Sequence, residues 1–232
     1  MDNIILASSS PRRQELLRQL GIPFRIQVAS VDETVEGDMP PGQLVETLSL
    51  RKARAVSGGL ESGLVIGSDT VVTMGDKILG KPVNKEDALE MLESLRGRRH
   101  QVFTGLAVID SVTGKYATVH ECTEVYFRDA SRQELEAYIS TGEPFDKAGA
   151  YGIQGMGAVF VSRIEGCYFN VMGLPVAKLV QVLQQFVASG FPGNTYPLHG
   201  NNCGANGGNH RVARALRVTF STKEPSLCAL LK

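Results

Sequence analysis

The sequence predicts an α/β domain, and three observations carry that prediction. Residues 4–20 read as a short apolar strand, a small-residue loop and an amphipathic helix. Leu64 to Thr73 form a nearly continuous apolar and β-branched run, as in a strand buried on both faces. Around them, strand and helix periodicities alternate up to about residue 186.

The first unit is Ile4-Ile5-Leu6, followed by the loop Ala7 to Ser10 and a helix from Pro11. Proline suits the first helical position, since its φ is preset and its missing N–H would be unpaired there anyway. Ser10 is the expected N-cap. Leu16, Leu17 and Leu20 face inward, and Gly21 and Pro23 end the helix. Arg12 and Arg13 fall in the first turn, where the helix dipole disfavours cations by about 0.3–1 kcal/mol each. Two arginines, three hydroxyls and free first-turn amides at one helix start suit a polyanion. A pair of solvated arginines on a surface helix is the plainer alternative.

Phe24 to Val28 alternates like a strand with one wet face and runs into the acidic stretch Asp32-Glu33-Thr34. Pro40-Pro41-Gly42 breaks the chain, and a helix follows from about Gln43 to Val56. Leu44, Val45, Leu48, Ala55 and Val56 form its apolar stripe, with Lys52 in the middle. A lysine there either snorkels to water or delivers its ammonium into a cleft facing carboxylates or phosphates. Asp69 interrupts the central run, where a buried carboxylate needs partners or a role. Gly67 and Ser68 open the backbone beside it, which favours a catalytic or metal-binding role over a structural one.

Met74-Gly-Asp-Lys reads as a hairpin turn, and Lys81 is held extended by Pro82. Asn84 caps a helix carrying Ala88, Met91, Leu92 and Leu95 inward. Strands over about 100–109 and 115–127 flank a Thr113-Gly114 turn, and Ser131 to Glu134 is a capping box. In Glu143 to Gly155, glycines recur at 149, 152 and 155 among polar side chains that include Lys147 and Gln154. That spacing suits close backbone approach to a ligand, or simply a structural loop. A strand over Ala158 to Val161 and a helix from Pro175 to about Phe186 complete the domain, residues 1–187.

The totals narrow the classes. The chain has 232 residues, 43% hydrophobic and 21% charged, which describes one globular domain with an appendage. Its 24 basic and 24 acidic residues give zero formal net charge, which argues against a nucleic-acid or acidic-membrane partner. No apolar run has the length of a membrane span, and no signal-peptide pattern opens the chain. The four cysteines are scattered, as expected of reduced thiols in a cytoplasmic protein. There is neither a Walker A motif nor a G-x-G-x-x-G after a strand. Residues 188–232 turn rich in Gly and Asn and read as a flexible tail of unassigned role.

Strand ends and helix starts of such a domain would gather Arg12, Arg13, Lys52 and Lys81 with the carboxylates Glu33 and Asp69 and the Lys147–Gln154 loop. Cations and amides alone make a binding site. Added carboxylates make sense if a divalent metal bridges them to phosphates, or if one activates water. The combination points to hydrolysis of a nucleotide polyphosphate.

Six segments also carry a resemblance. Leu6 to Leu17, Gly67-Ser-Asp-Thr70, Lys81-Pro82, Phe103-Thr-Gly105, Asp146 to Gly155 and Asn170 to Pro175 resemble, in order and spacing, the Maf family of nucleoside triphosphate pyrophosphatases. The resemblance implies a mixed central sheet flanked by helices with an active-site cleft, similar to inosine triphosphatases. It implies cleavage between the α- and β-phosphates, dependence on a divalent metal such as Mg²⁺ or Mn²⁺, a homodimer, and a housecleaning role in the cytoplasm. By motif, Asp69 would accept the proton of the attacking water, and Glu33 would help place metal or water, the two being the expected metal ligands. Ser8, Arg12, Arg13, Lys52 and Lys81 would hold the triphosphate, with Lys147 beside them; Thr70 and Gln154 would read the base. Arg12, Thr70 and Gln154 resemble the branch that prefers dTTP and UTP. A purine-directed pyrophosphatase and a nucleotide-binding regulator of cell division are the alternatives.

Overall fold

The computed structural model describes residues 3–35 and 37–186, and residues up to Val182 form one compact unit. The expectation of a flexible tail over 188–232 lies outside the described residues. The strands are β1 (Ile4–Leu6), β2 (Phe24–Ile26), β3 (Leu64–Met74), β4 (Lys77–Leu79), β5 (Arg99–Asp110), β6 (Tyr116–Phe127) and β7 (Val161–Glu165). The helices are α1 (Pro11–Gln19), α2 (Pro41–Ser57), α3 (Lys85–Leu95), α4 (Arg132–Ser140), α5 (Tyr168–Met172) and α6 (Val176–Gln184). Three short 3-10 turns lie between α4 and β7, at Glu143–Asp146, Ala148–Ala150 and Met156–Phe160.

All seven strands join one mixed sheet in the order β2-β1-β3-β5-β6-β7, with β4 also on β3. β1 is parallel to both β2 and β3, as a strand–helix–strand unit requires, whereas the hairpin-connected strands are antiparallel. β5 covers one edge of β3 from Leu64 to Thr73. On the other edge β1 stops at Ile66 and β4 begins at Val72. Gly67 to Val71 therefore lack a strand neighbour on that edge, and the gap contains Asp69 and Thr70. An interrupted edge at the end of a parallel strand is where α/β sheets admit ligands.

Side-chain alternation along β3 divides the core. Val65 packs with Ile5, Ala107 and Ile109 under Ala53 and Val56 of α2. Val72 joins Val102, Val125 and the α3–α4 residues Leu92, Leu95 and Leu135 in the other cluster. Gly67 and Asp69 share the α2 face with Val65, because alternate residues of a strand point the same way. Two glycines let α2 sit directly on the backbone there. A Cβ at Gly67 would run into the Ser49 carbonyl, and one at Gly105 into the Val45 carbonyl.

Three local expectations are corrected. The inward stripe of α2 runs through Val45, Leu48, Ser49, Ala53 and Val56, and Ala55 faces solvent. Ser10 precedes α1 but makes no side-chain cap; its own N–H donates to Ser8 Oγ at 3.2 Å. Residues 156–160 form a 3-10 turn, and the strand starts only at Val161. The cause lies in Glu143, whose carboxylate accepts from the N–H groups of Met156 at 2.8 Å and Gly157 at 3.3 Å. Those bonds curl a segment whose composition alone favours a strand.

Candidate active site

α2 approaches the sheet closely enough for Lys52, four residues before Val56, to reach over the strand edge. Its Nζ donates to Asp69 Oδ1 at 2.5 Å and lies 2.8 Å from Glu33 Oε1. Lys52 and Asp69 are 17% and 12% exposed at the side chain, whereas Glu33 is 59% exposed. The lysine at the centre of the stripe is thus delivered to carboxylates and does not snorkel. The hydrogen bond from Lys52 holds the Glu33 carboxyl below its ordinary pKa, against the opposing effect of partial burial.

Arg13 is the hub of a second set. Its Nε donates to the Gly173 carbonyl at 2.8 Å, Nη1 to Ser8 Oγ at 3.1 Å and Nη2 to Thr70 Oγ1 at 3.0 Å. Burial lowers its pKa. Thr104 Oγ1 donates its single proton to the Asn170 carbonyl at 2.8 Å, so in the 3.0 Å contact between the two threonines Thr70 is the donor. A directed chain follows, from Arg13 through Thr70 and Thr104 to Asn170. Asn170 is itself fixed by donating to the Val102 carbonyl and to Thr123 Oγ1, both at 2.9 Å. The segment 170–175 thereby locks the start of α1 onto β3 and β5.

These groups open on one cleft of about 380 Å³. Arg12, Arg13, Glu33, Lys52, Asp69, Thr70, Lys81 and Lys147 all line it, so eight of the ten residues singled out in the sequence converge. Ser8 is buried behind the wall as the partner of Arg13. Gln154 is exposed and outside the lining, next to Ile153, which is part of it. The glycines at 149, 152 and 155 make their close approaches to the protein itself: to Val72, to the Lys147 stem and to the Glu143 carboxylate. Of the three, Gly152 lines the cleft, and the other two pack behind it.

Sequence reasoning missed three members. Asp146 lies between Arg12 at 3.2 Å and Lys147 at 2.6 Å. Tyr151 lines the cleft and shares a 2.8 Å hydrogen bond with the buried His100. Gly173 supplies a carbonyl to both Arg13 and Ser68. Each stands in or next to a motif quoted above, but only the fold shows what it faces.

Glu33 and Asp69 each keep one carboxylate oxygen with no protein donor among the described residues. No group of three His, Cys, Asp or Glu capable of holding a metal occurs among those residues. Two carboxylates beside a cluster of cations nevertheless fit Mg²⁺, which is commonly held by one or two carboxylates completed by substrate phosphates.

Five cations and three carboxylates lining one cleft beside a mixed sheet define an α/β protein with a highly charged site, its cations suited to an anionic ligand. The chain belongs to the Maf family, since the family described as "Maf-like protein" matches residues 3–186. It is 54% identical over 186 residues to a dTTP/UTP pyrophosphatase of Desulforamulus reducens, covering 80% of this chain and 97% of that one. A dTTP/UTP pyrophosphatase of Moorella thermoacetica is 50% identical over 186 residues, covering 80% and 96%. Among solved structures the chain is similar to a HAM1 protein from Coxiella burnetii at TM-score 0.46 and 19% identity, covering 80% of this chain and 100% of that one. That likeness is too distant to bear on topology or activity.

Proposed function

We propose that this protein hydrolyses dTTP and UTP between the α- and β-phosphates, releasing the nucleoside monophosphate and pyrophosphate. The observation that carries the reading is the convergence of Lys52, Asp69 and Glu33 with Arg12, Arg13, Lys81 and Lys147 in one cleft. Relatives at 50% identity and above bear the name of that activity.

In this reading the phosphate chain lies against Arg12, Arg13, Lys81 and Lys147. Asp69, oriented by Lys52 through Oδ1, uses its open oxygen to take a proton from the attacking water. Lys81 lines the cleft and feels the charge of Glu33 but makes no hydrogen bond or ion pair among the described residues, so its ammonium is available to the leaving pyrophosphate. Fixed cations at the place where charge accumulates are commonly the largest catalytic contribution. A Mg²⁺ or Mn²⁺ ion held by Glu33 and Asp69 with substrate oxygens would supply further charge neutralisation there. Base selection falls to Thr70, whose hydroxyl keeps an acceptor site in the wall, and to Gln154, exposed next to the lining residue Ile153.

No helix among the described residues is long and apolar enough to cross a membrane. Housecleaning of the nucleotide pool in the cytoplasm, by a homodimer, fits this reading. A panel of nucleoside triphosphates with Mg²⁺ tests it: pyrophosphate from dTTP and UTP in clear excess over purines supports it, and equal turnover of purines contradicts the pyrimidine assignment.

A further inference from the structure

Asp146 has no part in the reaction as set out above, yet among the described residues its carboxylate is the one that touches two of the cleft cations at once. Oδ2 accepts from Arg12 Nη1 at 3.2 Å and Oδ1 from Lys147 Nζ at 2.6 Å. The two cations are not equally dependent on it. Lys147 has a second anchor, the Glu143 carbonyl at 2.7 Å. For Arg12, Asp146 is the sole side-chain hydrogen-bond partner among the described residues. Four of the five guanidinium N–H groups are therefore uncommitted at the cleft wall. Asp146 stays ionised in this setting: burial works against the charge, but the Lys147 and Arg12 contacts outweigh it and lower its pKa.

We propose that Asp146 is a positioning residue for Arg12, holding the guanidinium against the cleft wall so that its free donors meet the anionic part of the bound substrate. The proposal rests on the nucleotide reading above and deepens it. An unrestrained arginine carries rotamer entropy that substrate must otherwise freeze out on binding. A tether from the loop that carries Lys147 removes part of that cost in advance.

The test is steady-state release of pyrophosphate from dTTP by the full chain. The variants are D146A, D146N, R12A and the R12A/D146A pair. D146A raises KM by about tenfold with kcat changed far less, the loss expected when one charge-assisted contact is no longer preset. D146N stays close to wild type, because its amide carbonyl still accepts from Arg12 while the Glu143 carbonyl still holds Lys147. Adding D146A to R12A produces no further loss, since the effect runs through Arg12. A lowered KM in D146A would make Asp146 a competitor of phosphate and overturn the proposal. Full additivity with R12A, or a D146N as impaired as D146A, overturns it as well. Failure of the nucleotide reading itself is distinguishable, because the wild type then releases no pyrophosphate.

Discussion

Lys52 Nζ lies 2.5 Å from Asp69 Oδ1, joining the middle of a helix to the unpaired edge of the central strand. Few arrangements orient a carboxylate more firmly, since both side chains are largely shielded and the ammonium is shared with Glu33. Removing the lysine has two separable consequences. Lys52→Met lowers kcat by roughly 100-fold or more, as expected when a general base loses its orientation. It also destabilises the fold by about 1–3 kcal/mol, because a poorly hydrated carboxylate loses its counter-charge. Kinetics and urea unfolding of one preparation measure both; unchanged kcat would remove Lys52 from the machinery.

Gly105 controls the same contact from beneath. A Cβ there meets the Val45 carbonyl, so Gly105→Ala must lift α2 from the sheet and carry Lys52 away from Asp69. The expected cost is about 1–3 kcal/mol, in the range for overpacking, together with a fall in kcat. Gly59→Ala, whose Cβ meets nothing within 4 Å, is the control and stays within about 0.5 kcal/mol of wild type.

The hydroxyl chain from Arg13 makes a different prediction. Thr104→Val keeps the shape but takes one of two donors from the Asn170 carbonyl, which keeps the Gly173 N–H, and leaves the Thr70 hydroxyl without its acceptor. Loss of about 1–3 kcal/mol in thermal or urea unfolding follows for such buried groups. The KM for dTTP rises as the guanidinium loosens. A variant as stable as wild type would mean the chain is not held by these bonds.

His100 gives the pH dependence. Burial lowers its pKa from 6.5 to about 4, so the unfolded chain binds more protons between those values. Stability is therefore complete above about pH 6.5 and falls as pH drops toward 4, by up to about 3 kcal/mol from this one group. His100→Gln, still able to bond Tyr151, flattens that slope between pH 6.5 and 4.5 in urea titrations. An unchanged slope would assign the acid sensitivity to other groups. Glu33 acts in the same direction at lower pH, its depressed pKa adding stability that is lost as pH falls through it.

Much of this was legible in the residues. A lysine on an apolar stripe and an aspartate in a buried strand each violate a local rule, and the two violations turn out to be one contact. The strand–loop–helix at the start was readable because Pro11 and Leu16-Leu17 mark it unambiguously. The glycine-rich loop was not, because spacing alone does not reveal what approaches a glycine; here it is Val72, Lys147 and Glu143. The 3-10 turn at 156–160 was hidden for a similar reason, since its cause is a carboxylate 13 residues earlier in the chain. Asp146 escaped notice because its meaning depends on Arg12, 134 residues away.

The proposed reaction turns on what Asp69 does in the cleft. Purified protein with Mg²⁺ and dTTP is assayed for pyrophosphate and orthophosphate together, beside Asp69→Asn. Wild type is predicted to release pyrophosphate and dTMP without orthophosphate, and Asp69→Asn to lose about 100-fold or more of that turnover while still binding dTTP. Orthophosphate and dTDP as products, or an Asp69→Asn variant as active as wild type, would contradict it.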